Sequence, residues 1–364
     1  MLPVICSTSS SGVAAFVWAA GTRYASEAEP SSRVGQYGVV HVVVAPDKFK
    51  ATASAREIAD AIAVALNNAG HTSTLVPMAD GGEGTLEALG GANRSSVVTG
   101  PLGAPVEAEW RLDRGVAVIE MARSSGLVLA GGPEQNDPLD ATTAGVGELI
   151  GEAIDAGAHR VIVGVGGSAT TDGGLGALDV LGSAARVAGV EIFVACDVRT
   201  RFIDAAAVFG PQKGASPAQV SMLTRRLTAL AANYRQEYRV DVASLDRSGA
   251  AGGLAGGLAA IGAQLVDGFD IVAAEVGLDD ALAKADLVIT GEGFIDNESF
   301  DGKVVGGVTE LAASRSMPVL AVAGQVFDDV QGRVDTVSLA DQCGLDRALA
   351  DPSGCVTETV ANWL

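Results

Sequence analysis

The chain has 364 residues, long enough for two domains with full cores. It is 48% hydrophobic but only 4% aromatic, with 47 glycines, a composition that suits close-packed α/β layers. Its net charge of −20 argues against nucleic acid as a partner, although a few clustered Lys and Arg can still make a cleft for an anionic small molecule. Four cysteines, Cys6, Cys196, Cys343 and Cys355, are widely spaced without a CxxC pair. That usage fits a reduced, cytoplasmic protein without structural zinc, and no apolar run approaches the ~20 residues of a membrane span.

Residues 1–37 differ in texture, with STSSSG, VAAFVWAA and then SEAEPSSRVGQYG. No Lys or Arg precedes the short apolar part, so it makes a poor signal peptide, and a disordered extension is expected. From Val39, VVHVVVA reads as a buried strand running into the loop PDKFKATAS. Ser54 and Glu57 form a capping box. Ile58, Ala61, Ile62, Ala65 and Leu66 then keep helical spacing until Gly70. A second strand over 74–76 leads into PMADGGEGT at 77–85, the opening of a parallel layer. Residues 100–121 read instead as antiparallel strands around turns, where a second unit begins, and 142–156 as a helix.

The stretch VIVGVGGSATTDGGLGAL at 161–178 combines a buried strand, a loop of glycines and hydroxyls, and a short helix whose N-terminus faces that loop. VEIFVACDV is another strand, with Asp197 just past its end. GPQKGA at 210–215 precedes a polar helix, and 249–265 is helix-compatible and glycine-rich. DLVIT at 286–290 is a strand read as ending in the loop GEGFIDNESFDGK at 291–303. A helix over 308–313 and the strand PVLAVAG at 318–324 follow.

Ligands of open parallel sheets sit beyond the carboxyl ends of the strands. Asp47 with Lys48 and Lys50, Asp80 with Glu83, Asp172, Asp197, and Glu292 with Asp296 and Lys303 all fall there. Acids, lysines and glycine loops together suit phosphoryl transfer, and no GxxxxGK[ST] marks a P-loop. Asp47, Asp80 and Asp296 also fit plain helix caps or turns, and Lys50 and Lys303 fit surface charges. His41, His71 and His159 are scattered. Ser124 and Ser168 lack the GxSxG setting of a hydrolase. Gly164 to Ala169 fits GxGxxA, but the TTDGG that follows is wrong for a dinucleotide helix.

APDKFKATASA resembles APDSFKGSLSA, the opening of the glycerate kinases of the bacterial two-domain type. The likeness continues through PMADGGEGT, TGPLGAPVEA, IEMARSSGL, TTAGVGELI, GVGGSATTDGG, VACDV, VFGPQKGA, GAAGGL and DLVITGEGFID…GK, in the family's order. The resemblance implies a flavodoxin-like parallel-sheet domain from 38–98 and 280–364, with a second, mixed α/β domain at 99–279. It also implies transfer of the ATP γ-phosphoryl group to D-glycerate or a related hydroxy acid, usually at the 2-hydroxyl, with Mg²⁺. A homo-oligomer is compatible with it.

On this reading Asp197, Lys50 and Asp296 are catalytic. Gly166, Gly167, Ser168, Thr170, Asp172, Gly173, Lys213, Gly252 and Gly253 bind the nucleotide. Asp47, Asp80, Gly81, Gly82, Glu83 and Lys303 bind the acid, and Glu292 and Asp296 hold the metal. The chain departs from the family pattern at Lys48 (Ser is usual), Thr171 (Asn), residues 199–202, Phe294 (Arg) and Glu298 (Gln). It also lacks a long segment before VACDV. An alternative expectation is therefore a diverged member that binds nucleotide or a small acid with little turnover.

Overall fold

The computed structural model describes residues 39–364 except 328, 329 and 331, so the expected extension at 1–37 lies outside the described residues. Eleven strands occur among the described residues: β1 (His41–Pro46), β2 (Thr72–Leu75), β3 (Arg94–Thr99), β4 (Pro105–Asp113), β5 (Val116–Glu120), β6 (Arg160–Gly164), β7 (Glu191–Cys196), β8 (Gln264–Asp267), β9 (Leu287–Ile295), β10 (Val319–Val326) and β11 (Asp335–Ser338). They form two sheets. The first has the order β11-β10-β9-β1-β2 and is parallel throughout. The second has the order β3-β4-β5-β6-β7-β8, antiparallel from β3 to β5 and parallel from β5 to β8. The fold is thus α/β, with one parallel and one mixed sheet.

The first sheet is covered on both faces, which is why β1 reads as unbroken VVVA. Val42, Val44, Ile289 and Leu320 pack against helices Ala55–Asn68 and Pro352–Trp363. Val43 and Val288 pack against helices Gly268–Val276 and Val304–Ala313. The second sheet buries Ile119, Val161, Val163 and Val194 with helices Ala144–Asp155, Pro217–Glu237 and Leu254–Ala260.

Helix Ala55–Asn68 starts in the expected capping box, with Ser54 Oγ accepting from Glu57 N and the Glu57 carboxylate accepting from Ser54 N. Ser54→Ala is expected to cost about 1 kcal/mol, read as a lowered urea midpoint with an unchanged slope.

Three readings of the sequence are corrected. The stretch 249–265 is not one helix: left-handed backbone at Ala251 (φ 53°) and Gly252 (φ 66°) delays the helix to Leu254–Ala260, and β8 follows. The antiparallel strands begin at Arg94, before residue 100. Residues 291–295 are strand, not loop, because β10 pairs beside them, Glu292 with Ala323 and Phe294 with Gln325. Cys196 is a buried thiol pushed up to about 12 by burial, too protonated to be a nucleophile.

Candidate active site

The carboxyl ends of the parallel strands from both sheets meet, and glycines let them do so. A Cβ on Gly166, in the loop after β6, would fall 2.8 Å from Gly82 Cα in the loop after β2. A Cβ on Gly268 would fall 1.8 Å from the Asp80 carbonyl oxygen, and one on Gly81 would fall 2.8 Å from the Ala195 side chain in β7. Gly81, Gly166 and Gly268 are therefore required where backbone meets backbone. Beside this junction opens a cleft of about 890 Å³, lined among others by Asp47, Lys48, Lys50, Glu83, Arg123 and Gly167.

A charge cluster occupies the junction. Lys48 Nζ lies 3.6 Å from Asp47 and 4.0 Å from Asp80. Burial opposes its charge, but Asp47, Asp80 and Glu83 outweigh that and raise its pKa. Asp47 is almost fully buried, and burial lifts its carboxyl to about 6 against the pull of Lys48. Burial likewise lifts Glu292 to about 7, opposed by the Ser299 hydroxyl it accepts from and by the charge of Lys303. The Asp197 carboxyl is raised by desolvation and by Asp80, and is held back by Lys303 and Lys48. Asp47, Lys48, Asp80, Asp197, Glu292 and Lys303 thus form one electrostatic unit, with Glu83 beside Lys48. Lys50 is exposed at the cleft and has no ion-pair partner among the described residues.

Other expected site residues lie elsewhere. Asp172 is enclosed: its carboxylate accepts from Thr143 N and Oγ1, Gly174 N and Gly176 N. It therefore already fills the N-terminus of helix Leu175–Leu181, the end expected to face a ligand anion. Gly173, Gly252 and Gly253 sit in the interior, where side chains would strike Leu230, the Thr170 carbonyl and Phe202. Thr170 and Lys213 are buried. Asp296 caps the turn Asn297–Phe300, accepting from Glu298 N and Ser299 N, and touches Glu292 only through Ser299.

The departures are likewise displaced from the cleft. Thr171 is buried, Phe202 is a core side chain packed edge-on to Tyr234, and Arg201 pairs loosely with Asp246. Phe294 stands edge-on to Phe327, with ring centroids 6.1 Å apart, and does not line the cleft. Lys48 alone of the departures joins the cluster.

Sequence reasoning did not single out Glu120 and Arg123. Buried at the end of β5, Glu120 Oε1 accepts from Gly84 N at 2.9 Å and Leu86 N at 3.0 Å, and Oε2 accepts from Arg123 Nε at 3.0 Å. Arg123 also meets Glu109 and Glu87. An acid closing the apolar run VAVI was the available signal.

Two α/β sheets meeting at a cleft of acids, lysines and glycine loops define the architecture of a small-molecule phosphotransferase. The chain belongs to the glycerate kinase family, whose sequence profile matches residues 42–185 and 179–363. It is 40% identical to glycerate 2-kinase of Escherichia coli K12 over 331 residues, covering 79% of this chain and 86% of that protein. It is 39% identical to glycerate kinase of Bacillus subtilis 168, covering 79% and 86%. A crystal structure described as glycerate kinase 2 from Salmonella typhimurium LT2 superposes with a TM-score of 0.76 at 37% identity, covering 89% of this chain and 97% of that one. Among the described residues no helix is long and apolar enough to cross a membrane.

Proposed function

We propose that this chain transfers the γ-phosphoryl group of ATP to D-glycerate at the 2-hydroxyl, with Mg²⁺. The observation that carries the reading is the cluster at the junction, in which Asp197 shares its field with Asp80, Lys48 and Lys303. Asp197 accepts the hydroxyl proton of the acid, the freed oxygen attacks the γ-phosphorus, and the bond to the β–γ bridging oxygen breaks to release ADP. Lys50 is free to meet phosphate oxygens, while Lys48 and Lys303 offset the charge gathered around the transferring group.

The residues present suit Mg²⁺. Asp47, Asp80, Asp197 and Glu292 outnumber the two lysines among them, and burial first, with the neighbouring carboxylates adding to it, pushes Asp47 and Glu292 toward protonation. Among the described residues no group of three or more acids, histidines or cysteines is arranged to hold a metal alone. Glu292 and Asp47 would thus supply one or two ligands, with nucleotide oxygens completing the shell. When bound, Mg²⁺ neutralises charge on the β- and γ-phosphates.

The deciding measurement is ADP release from ATP and Mg²⁺ with and without D-glycerate, with the product identified by ³¹P NMR. Glycerate-dependent release yielding 2-phosphoglycerate is expected. Release indifferent to glycerate would overturn the reading, and ATP binding without turnover would support a diverged binder.

The raised carboxyls set opposite pH trends for activity and stability. At pH 6 a group titrating at about 7 is only about one-tenth ionised, so kcat/KM is expected to fall about tenfold from pH 8 to 6. A carboxyl whose pKa is higher in the folded than in the unfolded chain favours the folded state when protonated. Its destabilising effect grows as pH rises from the unfolded value, 4.5 for Glu292, to about 7. The thermal midpoint is therefore expected to be higher at pH 6 than at pH 8, with the gap narrowed in Glu292→Gln.

A further inference from the structure

Lys213, from the turn Pro211–Lys213, is only 2% exposed; burial pushes its amine down to about 7, against the pull of Asp172, and its N–H protons must be used. Two are: Nζ donates to Ser168 Oγ at 2.7 Å and to the Thr170 carbonyl at 2.7 Å. Asn136 Nδ2 takes the carbonyl between them, Ala169 O at 3.0 Å, and also Lys213 O at 2.9 Å. On the other side Leu127 N donates to Gly167 O and Ala169 N to Ser125 O. Three consecutive residues, 168 to 170, are thus pinned by side-chain and backbone bonds.

The front of the same loop is open. Gly167 lines the cleft, and the amide N–H groups of Gly166, Gly167 and Ser168 have no acceptor among the described residues. Such a run of free amides, with Gly167 at φ 68°, is a receptor for phosphate-type oxygens. Lys213 stands behind it, enclosed, and cannot reach an anion in the cleft directly.

We propose that Lys213 is a positioning residue: by tying Ser168 Oγ and Thr170 O to one side-chain nitrogen it holds the amides of 166–168 in place for the phosphate chain of a nucleotide, without touching it. This rests on the kinase reading above. Lys213→Met keeps the length and removes the donors, and Ser168→Ala removes one anchor while sparing the other. Lys213→Met is expected to raise KM for ATP at least tenfold with kcat changed less than threefold, and Ser168→Ala to raise it at least threefold. The double variant should be no worse than Lys213→Met, since both changes break one tie.

A lower thermal midpoint with KM for ATP unchanged would make Lys213 merely structural and overturn the proposal. Should Lys213→Met fail to fold, an unchanged KM in Ser168→Ala does the same. If the wild type shows no glycerate-dependent turnover but binds a fluorescent ATP analogue, and Lys213→Met weakens that binding tenfold, only the kinase reading falls. A wild type that neither turns over nor binds ATP overturns both.

Discussion

Replacing Asp197 by Asn is expected to lower glycerate-dependent ADP release by about 10²- to 10⁴-fold, the range for loss of a general base. Asparagine keeps the shape but cannot take the hydroxyl proton. The surroundings favour this role: desolvation and Asp80 raise the carboxyl, so it holds a proton better than a free aspartate, while Lys303 and Lys48 limit the rise. The variant should still bind ATP, because the glycine loop and Lys50 are untouched. Steady-state kinetics beside titration of a fluorescent ATP analogue separates the two. A drop of less than tenfold would remove Asp197 from the chemistry and turn attention to Asp80 or Asp47.

Glu120→Ala is expected to lower stability by several kcal/mol through its lost hydrogen bonds. It strands the N–H groups of Gly84 and Leu86 and removes the only buried partner that Arg123 has among the described residues. Leaving a buried donor unsatisfied costs about 1–3 kcal/mol, whereas Arg123, partly exposed, keeps Glu109 and solvent as partners. Because Glu120 ends β5 in the second sheet and Gly84 lies in a loop leaving the first, the loss also frees the turn carrying Glu83. Thermal unfolding should show the drop. Glu120→Gln, whose oxygen still accepts both N–H groups, should recover most of it. Equal losses in the two variants would show that the charge facing Arg123 matters more than the two backbone bonds.

The elements with strong periodicity were legible from the sequence. VVVA reads as a strand buried on both faces and is one, and the Ser54–Glu57 box starts its helix where expected. Short half-buried strands were not, because QLVD at β8 carries no alternation and follows glycines that suit a helix as well. The glycine-rich loops were legible by composition, but not by which way they face. Asp172 and Asp197 are the same residue type beyond neighbouring strands, yet one is closed over by Thr143 and a helix end while the other stands among lysines. Gly167 and Gly252 both adopt left-handed backbone, one at the cleft and one against the Thr170 carbonyl. Such differences arise from long-range packing that a local motif does not record. Glu120 escaped notice for the same reason, since the backbone amides it binds lie 34 and 36 positions away.

Strand β1, an interior strand of the first sheet, acquires its second neighbour late. Thr290 Oγ1 in β9 donates to Ala45 O in β1, 245 positions back along the chain. At the ~5–20 residues per second of synthesis, that is roughly 10–50 s between the two strands. Throughout this interval β1 can pair with β2 alone, leaving an apolar edge open, whereas β3 to β8 are contiguous and can close their sheet first. A ribosome-bound chain therefore carries a finished mixed sheet beside an unfinished parallel one, and Glu292 and Lys303 reach the charge cluster only once β9 has paired with β1.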